Sequence, residues 1–187
     1  MKKFLIFVVL ALVTLAGAQV PEKKQTTLGL YLTAAEAVQK WSANKESVHL
    51  LDVRTPAEYV FVGHAPEAVN IPWLFFNGIS QDATLQMNPN ENFVQQVSER
   101  FSLMDTILIM CRSGGRSAKA VNKLAKAGYK NVYQIYDGFE GDKLNDPCNP
   151  KNGKRVVNGW KNCGGPWTCK LDPHFVYRSV ENEASAK

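Results

Sequence analysis

The residues best suited to chemistry lie in one loop that begins at a cysteine and holds two arginines and two glycines. An apolar run over 107–110, short enough to be a buried strand, precedes this loop. The pattern of an amphipathic helix follows it over 117–125. A strand, a tight loop and a helix start bring backbone N–H groups around one point, where the helix dipole adds positive charge. The candidate site residues are therefore Cys111, Arg112, Ser113, Gly114, Gly115, Arg116 and Ser117.

Cys111 is predicted to act as a thiolate nucleophile. The helix dipole, the loop amides and the two guanidinium groups of Arg112 and Arg116 all favour the anionic form of a cysteine at this place. Gly114 and Gly115 allow the loop to adopt positive φ and to turn its amides inward. A cysteine at a strand end can also be a buried structural residue. Two arginines within the next five positions have no use in an apolar core, so the pattern favours an anion site.

Three segments, in this order along the chain, resemble the signatures of the rhodanese family of sulfurtransferases. Residues 111–116, Cys-Arg-Ser-Gly-Gly-Arg, resemble the active-site loop of that family. Residues 51–72, with Leu-Asp-Val-Arg-Thr-Pro-Ala-Glu-Tyr and then Gly-His-Ala-Pro, resemble its first signature, and residues 128–139 resemble its closing strand and turn. The similarity spans about 33–141 and resumes at 159–160. The resemblance implies a rhodanese-like three-layer fold with a mainly parallel central sheet flanked by helices.

The order of elements along the chain predicts the same α/β class, because strands alternate with helices. Thr33 and Glu36 have the spacing of a capping box at the start of a helix. Residues 73–76 are an aromatic cluster predicted to pack in the core, with a place under or beside the active-site mouth as the alternative, and residues 77–89 are predicted to be polar and irregular. The predicted strands are 48–53, 69–72, 106–110 and 132–136; the predicted helices are 34–41, 90–101 and 117–127, with a short helical turn at Glu58 and Tyr59.

Five segments describe the expected domain organisation. Residues 1–18 have a basic start, an apolar run and a small-x-small cleavage site, which is typical of a secretory signal peptide. A flexible segment is expected over 19–30 and a single domain over 31–170. That domain carries an insertion rich in Asn, Asp, Lys and Pro at about 142–158, and residues 171–187 form a C-terminal tail.

The signal peptide predicts a periplasmic or secreted protein. Its apolar run is too short to cross a bilayer comfortably, so no stable membrane insertion is expected after cleavage. Cleavage removes two lysines and no acidic residue, which changes the formal net charge from +5 to +3. Such a mild excess gives no support for nucleic-acid binding and suits small anionic substrates.

Three cysteines remain once Cys111 is assigned to catalysis: Cys148, Cys163 and Cys169. In an oxidising compartment, one disulfide and one free thiol are the simplest expectation. All three pairings are open. A different use for the odd cysteine is to resolve a persulfide on Cys111.

The resemblance implies a definite chemistry for the loop. Cys111 would take the outer sulfur of thiosulfate or a related small anionic donor, and the N–H groups of 112–117 would hold the resulting persulfide. Cyanide or a thiol would then accept the sulfur. Arg112 and Arg116 would bind the anionic end of the donor. No metal and no organic cofactor is implied.

Three other functions are compared with this one. Related phosphatases place five residues between cysteine and arginine, whereas four separate Cys111 from Arg116 here. An exported sulfur carrier would bind polysulfide and deliver sulfur to a partner protein, for which the insertion at 142–158 is the natural docking surface. A thiol–disulfide oxidoreductase is disfavoured because the sequence has no C-x-x-C motif. The physiological donor and acceptor and the oligomeric state are left open by the sequence.

Overall fold

The computed structural model of the chain describes residues 19–178. The predicted signal peptide, 1–18, and the last part of the predicted tail, 179–187, lie outside the described residues. Over 19–178, no helix combines the length and the apolar character needed to cross a membrane.

The centre of the molecule is a five-stranded sheet in which all neighbouring strands are parallel. Its spatial order is β1-β7-β6-β2-β3. This arrangement confirms the predicted α/β class with a mainly parallel sheet. The strands are β1 (Tyr31–Leu32), β2 (Val48–Asp52), β3 (Ala68–Asn70), β6 (Thr106–Met110) and β7 (Val132–Ile135); β4 and β5 lie outside this sheet and are described below.

Four α-helices connect and cover these strands within the described residues. They are α1 (Ala34–Ala43), α2 (Pro56–Val62), α3 (Phe93–Ser98) and α4 (Gly115–Lys126). The predicted capping box is present at α1, where the Thr33 side chain accepts from the Glu36 N–H and the Glu36 carboxylate accepts from the Thr33 N–H. Gly128, at φ +99°, follows the end of α4 as a left-handed glycine, which is a common way for a helix to end.

Alternation along β6 divides the core between the two faces of the sheet. Ile107 and Ile109 face a cluster that includes α3 and α4, whereas Leu108 and Met110 face a cluster that includes α1 and α2. All four of these side chains are completely buried. Because both faces of the sheet are buried, the sequences of the strands are continuous apolar runs. The sheet and the helices on its two faces make up the three layers of the fold.

Residues 77–89 were predicted to be irregular, and this is wrong. They belong to an antiparallel hairpin formed by β4 (Leu74–Ile79) and β5 (Leu85–Pro89). Side-chain hydrogen bonds among Ser80, Asp82 and Thr84 close its turn. The core assignment of 73–76 is also wrong for Phe76, which is 53% exposed. The hairpin does not join the main sheet, so its apolar residues are not required by the core.

The insertion leaves the domain and returns to it at adjacent points. The backbone of Gly141 lies against that of Gly159, and the side chain of Asn158 accepts from the Asp142 N–H at 2.7 Å. Buried Asp137 fixes this closure by accepting from the Gly159 N–H at 3.0 Å. The domain is therefore continuous in space across the inserted segment.

Both ends of the described chain make specific contacts that the sequence does not predict. The Thr27 N–H donates to the Asn122 side chain on α4 at 2.8 Å, and Lys24 pairs with Asp142 at 3.2 Å. At the other end, the Asn70 N–H donates to the Phe175 carbonyl at 2.7 Å. The predicted flexible segment and tail thus include residues that lie against the domain.

The expected disulfide is not present, because all four cysteines within 19–178 are unbridged. Each of the three outside the loop lies in its own local turn. The Cys148 N–H donates to Asp146, and the Cys163 thiol lies 3.4 Å from the Trp160 carbonyl. Cys169 follows the residue that bridges to His64.

Candidate active site

Cys111 follows directly after β6, at the carboxyl end of the central strand, where open parallel sheets place their sites. The residue is only 1% exposed and its side chain lies on the α4 side of the sheet. The Gly114 N–H donates a hydrogen bond to the Cys111 Sγ at 3.2 Å. The sulfur atom therefore lies inside the turn of the loop.

Gly114 gives the loop its shape. Its φ of +95° belongs to the left-handed region, and a Cβ there would overlap the Tyr136 carbonyl oxygen. Its own carbonyl accepts three hydrogen bonds, from Gln134 Nε2 at 2.8 Å, Ser117 Oγ at 3.0 Å and the Ala118 N–H at 3.1 Å. These bonds fix the peptide before α4. As at any helix start, the amides of the first helical turn have no intrahelical partners.

A second backbone segment holds the start of the loop. The Phe139 N–H donates to the Cys111 carbonyl at 2.8 Å, and the Glu140 N–H donates to the Arg112 carbonyl at 3.0 Å. Gly138 allows this approach, since a Cβ there would lie 2.5 Å from the Cys111 carbonyl oxygen. Residues 137–139, which resemble the closing turn of the family, thus belong to a segment that lies against the backbone of the cysteine.

The guanidinium of Arg116 is bound by Glu58 rather than pointing unpaired into the cleft. Its Nη1 and Nη2 donate to the two carboxylate oxygens, each at 2.6 Å. Burial would raise the pKa of Glu58, but the hydrogen bonds and charge of Arg116 lower it to about 2. Burial opposes the charged form of Arg116 too, yet Glu58, with Cys111 and Asp52, raises the pKa of Arg116.

The other predicted loop residues divide into two groups. Arg112, Ser113 and Gly115 line the cleft together with Cys111, and the Arg112 side chain is exposed. Ser117 is completely buried and its hydroxyl donates to the Gly114 carbonyl, so it supports the loop from behind. The residues of the predicted segment are therefore adjacent in space, but their side chains have different surroundings.

The cleft in front of Cys111 has a volume of about 640 Å³. Cations from two further elements reach it, namely Lys23 before β1 and Lys119 on α4. Residues 73–76 contribute to the lining, which agrees with the alternative place beside the active-site mouth rather than with the predicted core position. The hairpin itself, which forms a further part of the lining, was not predicted because the segment has no clear alternating pattern. Its cleft-lining residues, with the preceding tryptophan, are Trp73, Leu74, Phe76, Leu85 and Met87.

Sequence reasoning also missed Glu58 as the partner of Arg116. Its position in the Thr55 capping box predicts a helix start and gives no sign of a partner 58 residues away. By contrast, Asp52 in the same segment has an architectural role. Asp52 and Arg54 form a completely buried ion pair with a shortest distance of 2.6 Å.

His64 makes structural contacts within its turn. Its Nδ1 lies 3.1 Å from the Tyr59 carbonyl, and its ring stacks on Tyr59. Among the described residues, no group of three or more His, Cys, Asp or Glu side chains is placed to hold a metal ion.

Comparisons with known proteins agree with this geometry. The model of the rhodanese-like domain matches residues 34–144. Thiosulfate sulfurtransferase 16, chloroplastic, of Arabidopsis thaliana is 40% identical over 89 residues, which cover 48% of this chain and 68% of that protein. An uncharacterized protein of Rickettsia prowazekii (strain Madrid E) is 38% identical over 121 residues, covering 63% of this chain and 80% of that protein.

A solved structure extends the likeness to the fold. The crystal structure of Rv0390 from M. tuberculosis matches with a TM-score of 0.58 at 30% identity, over 75% of this chain and 97% of that one. The domain match includes both the cysteine loop and the Asp52–Glu58 segment that meets it in space. With its parallel sheet and its cysteine at the strand end, the chain belongs to the family of rhodanese-like domains.

Proposed function

We propose that the protein is a sulfurtransferase that carries sulfane sulfur as a persulfide on Cys111. The observation that carries the proposal is the 3.2 Å hydrogen bond from the Gly114 N–H to the Cys111 Sγ, at the start of α4. A sulfur atom among the amides of a helix N-terminus is favoured as an anion. The relative from Arabidopsis that is named a thiosulfate sulfurtransferase supports this assignment.

The first step transfers sulfur from thiosulfate to the enzyme. The Cys111 thiolate attacks the outer sulfur, a bond forms between the two sulfur atoms, and the S–S bond of thiosulfate breaks with its electron pair. Sulfite leaves as the dianion and the persulfide on Cys111 keeps one negative charge. No proton is transferred in this step, because the thiolate is the form of Cys111 that reacts.

The cations of the cleft are placed to stabilise the negative charge of donor and leaving group. Arg112 and Lys119 line the cleft beside Cys111, and Lys23 reaches it from the N-terminal segment before β1. Charge-assisted hydrogen bonds from such groups are stronger than neutral ones. Arg116 has a different role, because Glu58 occupies its guanidinium fork.

The second step returns the enzyme to its thiolate form. Cyanide or a thiolate attacks the outer sulfur of the persulfide, the S–S bond breaks, and its electron pair returns to Cys111. With cyanide the product is thiocyanate. The cleft provides access for the acceptor, since Cys111 forms part of its lining.

The pairing of Arg116 also argues against phosphate as the substrate. A phosphatase of related design needs its loop arginine to bind two oxygens of a tetrahedral anion. In this protein both terminal nitrogens of Arg116 already donate to Glu58 at 2.6 Å. The four-residue spacing from Cys111 to Arg116 also gives a smaller loop.

Intact-protein mass spectrometry tests the proposal. Incubation with thiosulfate is expected to add one sulfur atom that maps to Cys111, and cyanide is expected to remove it with release of thiocyanate. Cys111→Ser should abolish both events. The matched control is Cys163→Ser, which removes an exposed thiol outside the cleft and should leave both events intact.

Two results would contradict the proposal. Sulfur that maps to Cys148, Cys163 or Cys169 would show that Cys111 is not the acceptor. Hydrolysis of an aryl phosphate by the wild-type protein, without any gain of sulfur from thiosulfate, would show that the loop binds a different anion.

A further inference from the structure

The outward face of α4 carries positive charge only. The helix contains Arg116 and three lysines over 115–126, and no acidic residue. Lys119, Lys123 and Lys126 are exposed, and spacings of four and three residues place them along one face of the helix. At 1.5 Å per residue this face extends over about 10 Å. We refer to these three residues as the lysine face.

The described part of the chain supplies no carboxylate that neutralises the lysine face. None of its three lysines belongs to an ion pair of residues 19–178. The short 3₁₀ helix Glu22–Lys24 contacts α4, but it has two lysines for one glutamate and therefore adds positive charge. Because like charges repel one another, such a face is stabilised by anions that come from outside the molecule.

Two exposed apolar side chains lie at the carboxyl end of the same helix. Met104 is 79% exposed and Leu103 is 49% exposed, so the core requires neither of them. The Leu103 side chain lies 3.7 Å from the position that a Cβ would take at Gly128, just after α4. The Asn131 side chain donates to the Met104 carbonyl at 3.2 Å. The lysine face is thus followed by an exposed apolar pair.

The residue types of this surface favour a lipid bilayer over a protein partner. Lysine is depleted at protein–protein interfaces, where aromatic residues and arginine are enriched. An anionic membrane surface attracts each lysine and also accepts apolar side chains at the boundary between headgroups and acyl chains. The long lysine side chains extend far enough from the helix to meet phosphate groups.

The predicted signal peptide also brings this face close to a membrane. Its apolar run covers residues 4–16, apart from Thr14. The N–H of Thr27, a short way along the chain, donates to the Asn122 side chain on α4 at 2.8 Å. The chain between Ala16 and Thr27 spans at most about 40 Å even when fully extended. Export by this signal therefore leaves α4 near the membrane surface.

We propose that the lysine face of α4, together with Leu103 and Met104, binds the surface of a bilayer that contains anionic phospholipid. The lysines contact the phosphate groups, and the two apolar side chains enter the boundary between headgroups and acyl chains. The domain lies on the bilayer, since no helix over 19–178 is suited to cross it. This binding goes beyond the sulfur chemistry of Cys111 and does not depend on it.

Sedimentation with lipid vesicles tests the proposal on the exported protein. Vesicles of phosphatidylglycerol and phosphatidylcholine in equal amounts are compared with vesicles of phosphatidylcholine alone, and the ratio of the two partition coefficients is taken. At low salt the wild-type ratio is expected to be about 100, from roughly a fivefold gain for each lysine. The ratio should fall steeply as salt is added. A ratio near one at low salt would overturn the proposal.

Lys123→Gln/Lys126→Gln is expected to lower the ratio about 25-fold, because two cations leave the lysine face. The matched control is Lys151→Gln/Lys154→Gln, which removes the same charge from two exposed lysines of the insertion and should keep the wild-type ratio. All four lysines are exposed, so both double variants should fold as the wild type does. Equal losses in the two double variants would show a general effect of net charge and would overturn the proposal.

Met104→Ser tests the apolar pair separately. Its partitioning to the anionic vesicles is expected to fall about fivefold, because an apolar contact with lipid is lost. Phe61→Ser is the matched control, since Phe61 is 84% exposed but lies on α2, on the other face of the sheet. Unchanged partitioning in Met104→Ser, or an equal fall in Phe61→Ser, would contradict the proposal.

An acidic polypeptide distinguishes the lipid surface from a protein partner. Poly-glutamate is offered to the wild-type protein and to Lys123→Gln/Lys126→Gln. Binding that depends on these lysines, in a protein without preference for anionic vesicles, would assign the lysine face to an acidic protein and would overturn the proposal.

Discussion

Glu58 and Arg116 form a bidentate ion pair that joins the start of α2 to the first turn of α4. Both distances are 2.6 Å, although the residues are 58 positions apart in the chain. The same carboxylate closes the capping box of α2 by accepting from the Thr55 N–H at 3.0 Å. One side chain thus connects the first sequence signature to the loop that holds the cysteine.

Glu58→Gln is expected to lower the free energy of unfolding at neutral pH by about 3 kcal/mol. The pKa of Glu58 falls from 4.5 to about 2 in the folded protein, and each unit of pKa shift corresponds to roughly 1.4 kcal/mol. Urea denaturation at pH 7 measures the loss. An equal stability of variant and wild type would show that the ion pair contributes nothing.

The same ion pair makes a definite contribution to the acid sensitivity of the fold. Because the folded pKa of Glu58 is depressed, its stabilisation is fully present above about pH 4.5 and is lost as the pH falls towards 2. The difference in stability between wild type and Glu58→Gln should therefore shrink over this range. Glu36→Gln is the matched control, since it removes a capping-box carboxylate that has no arginine among its hydrogen-bond partners in the described structure. Its cost should be about 1 kcal/mol.

The two adjacent glycines of the loop are expected to respond differently to alanine. At Gly114, φ is +95° and a Cβ would overlap the backbone of Tyr136, so Gly114→Ala should cost about 3 kcal/mol or more of stability. At Gly115, which begins α4, a Cβ would meet no atom within 4 Å. Gly115→Ala should therefore change stability by less than about 1 kcal/mol. Thermal unfolding of both variants checks this order, and equal losses would contradict it.

Sequence reasoning predicted the sheet, the major helices and the cysteine loop because their signals are local. The apolar run before Cys111 and the capping box at Thr33 each fix an element from a few neighbouring residues. The Gly114 turn is also local, since only glycine adopts its φ without strain.

The cleft could not be predicted in the same way, because its remaining parts come together only in the folded chain. The Glu58–Arg116 pair forms because the starts of α2 and α4, which cover opposite faces of the sheet, meet in the folded chain, and no local pattern records it. The hairpin escaped prediction for a different reason. Phe76 and Leu85 face the cleft instead of the core, so the segment lacks the alternation of a half-buried strand.

Ser117→Ala tests whether this serine acts on the substrate or supports the loop. Its hydroxyl is buried and donates to the Gly114 carbonyl, which keeps two other donors, Gln134 and the Ala118 N–H. The variant should lose about 1 kcal/mol of stability and keep its thiosulfate activity within about tenfold of wild type. A fall of about a thousandfold in kcat at unchanged stability would instead indicate direct contact with the transferred sulfur.

The two arginines of the loop, which the sequence suggests are equivalent, are expected to differ in what they do. Arg112 is exposed on the cleft and has no carboxylate partner among the ion pairs of residues 19–178. Arg112→Gln should therefore raise KM for thiosulfate by about tenfold through loss of a charge-assisted contact, with stability within about 0.5 kcal/mol of wild type. Arg116→Gln should instead destabilise the fold by about 3 kcal/mol, because it leaves the Glu58 carboxylate, which is only 21% exposed, without its cation. Steady-state kinetics together with urea denaturation separate these effects. A large stability loss in Arg112→Gln, or a pure KM effect in Arg116→Gln, would reverse the assignment and make Arg116 the residue that binds the donor.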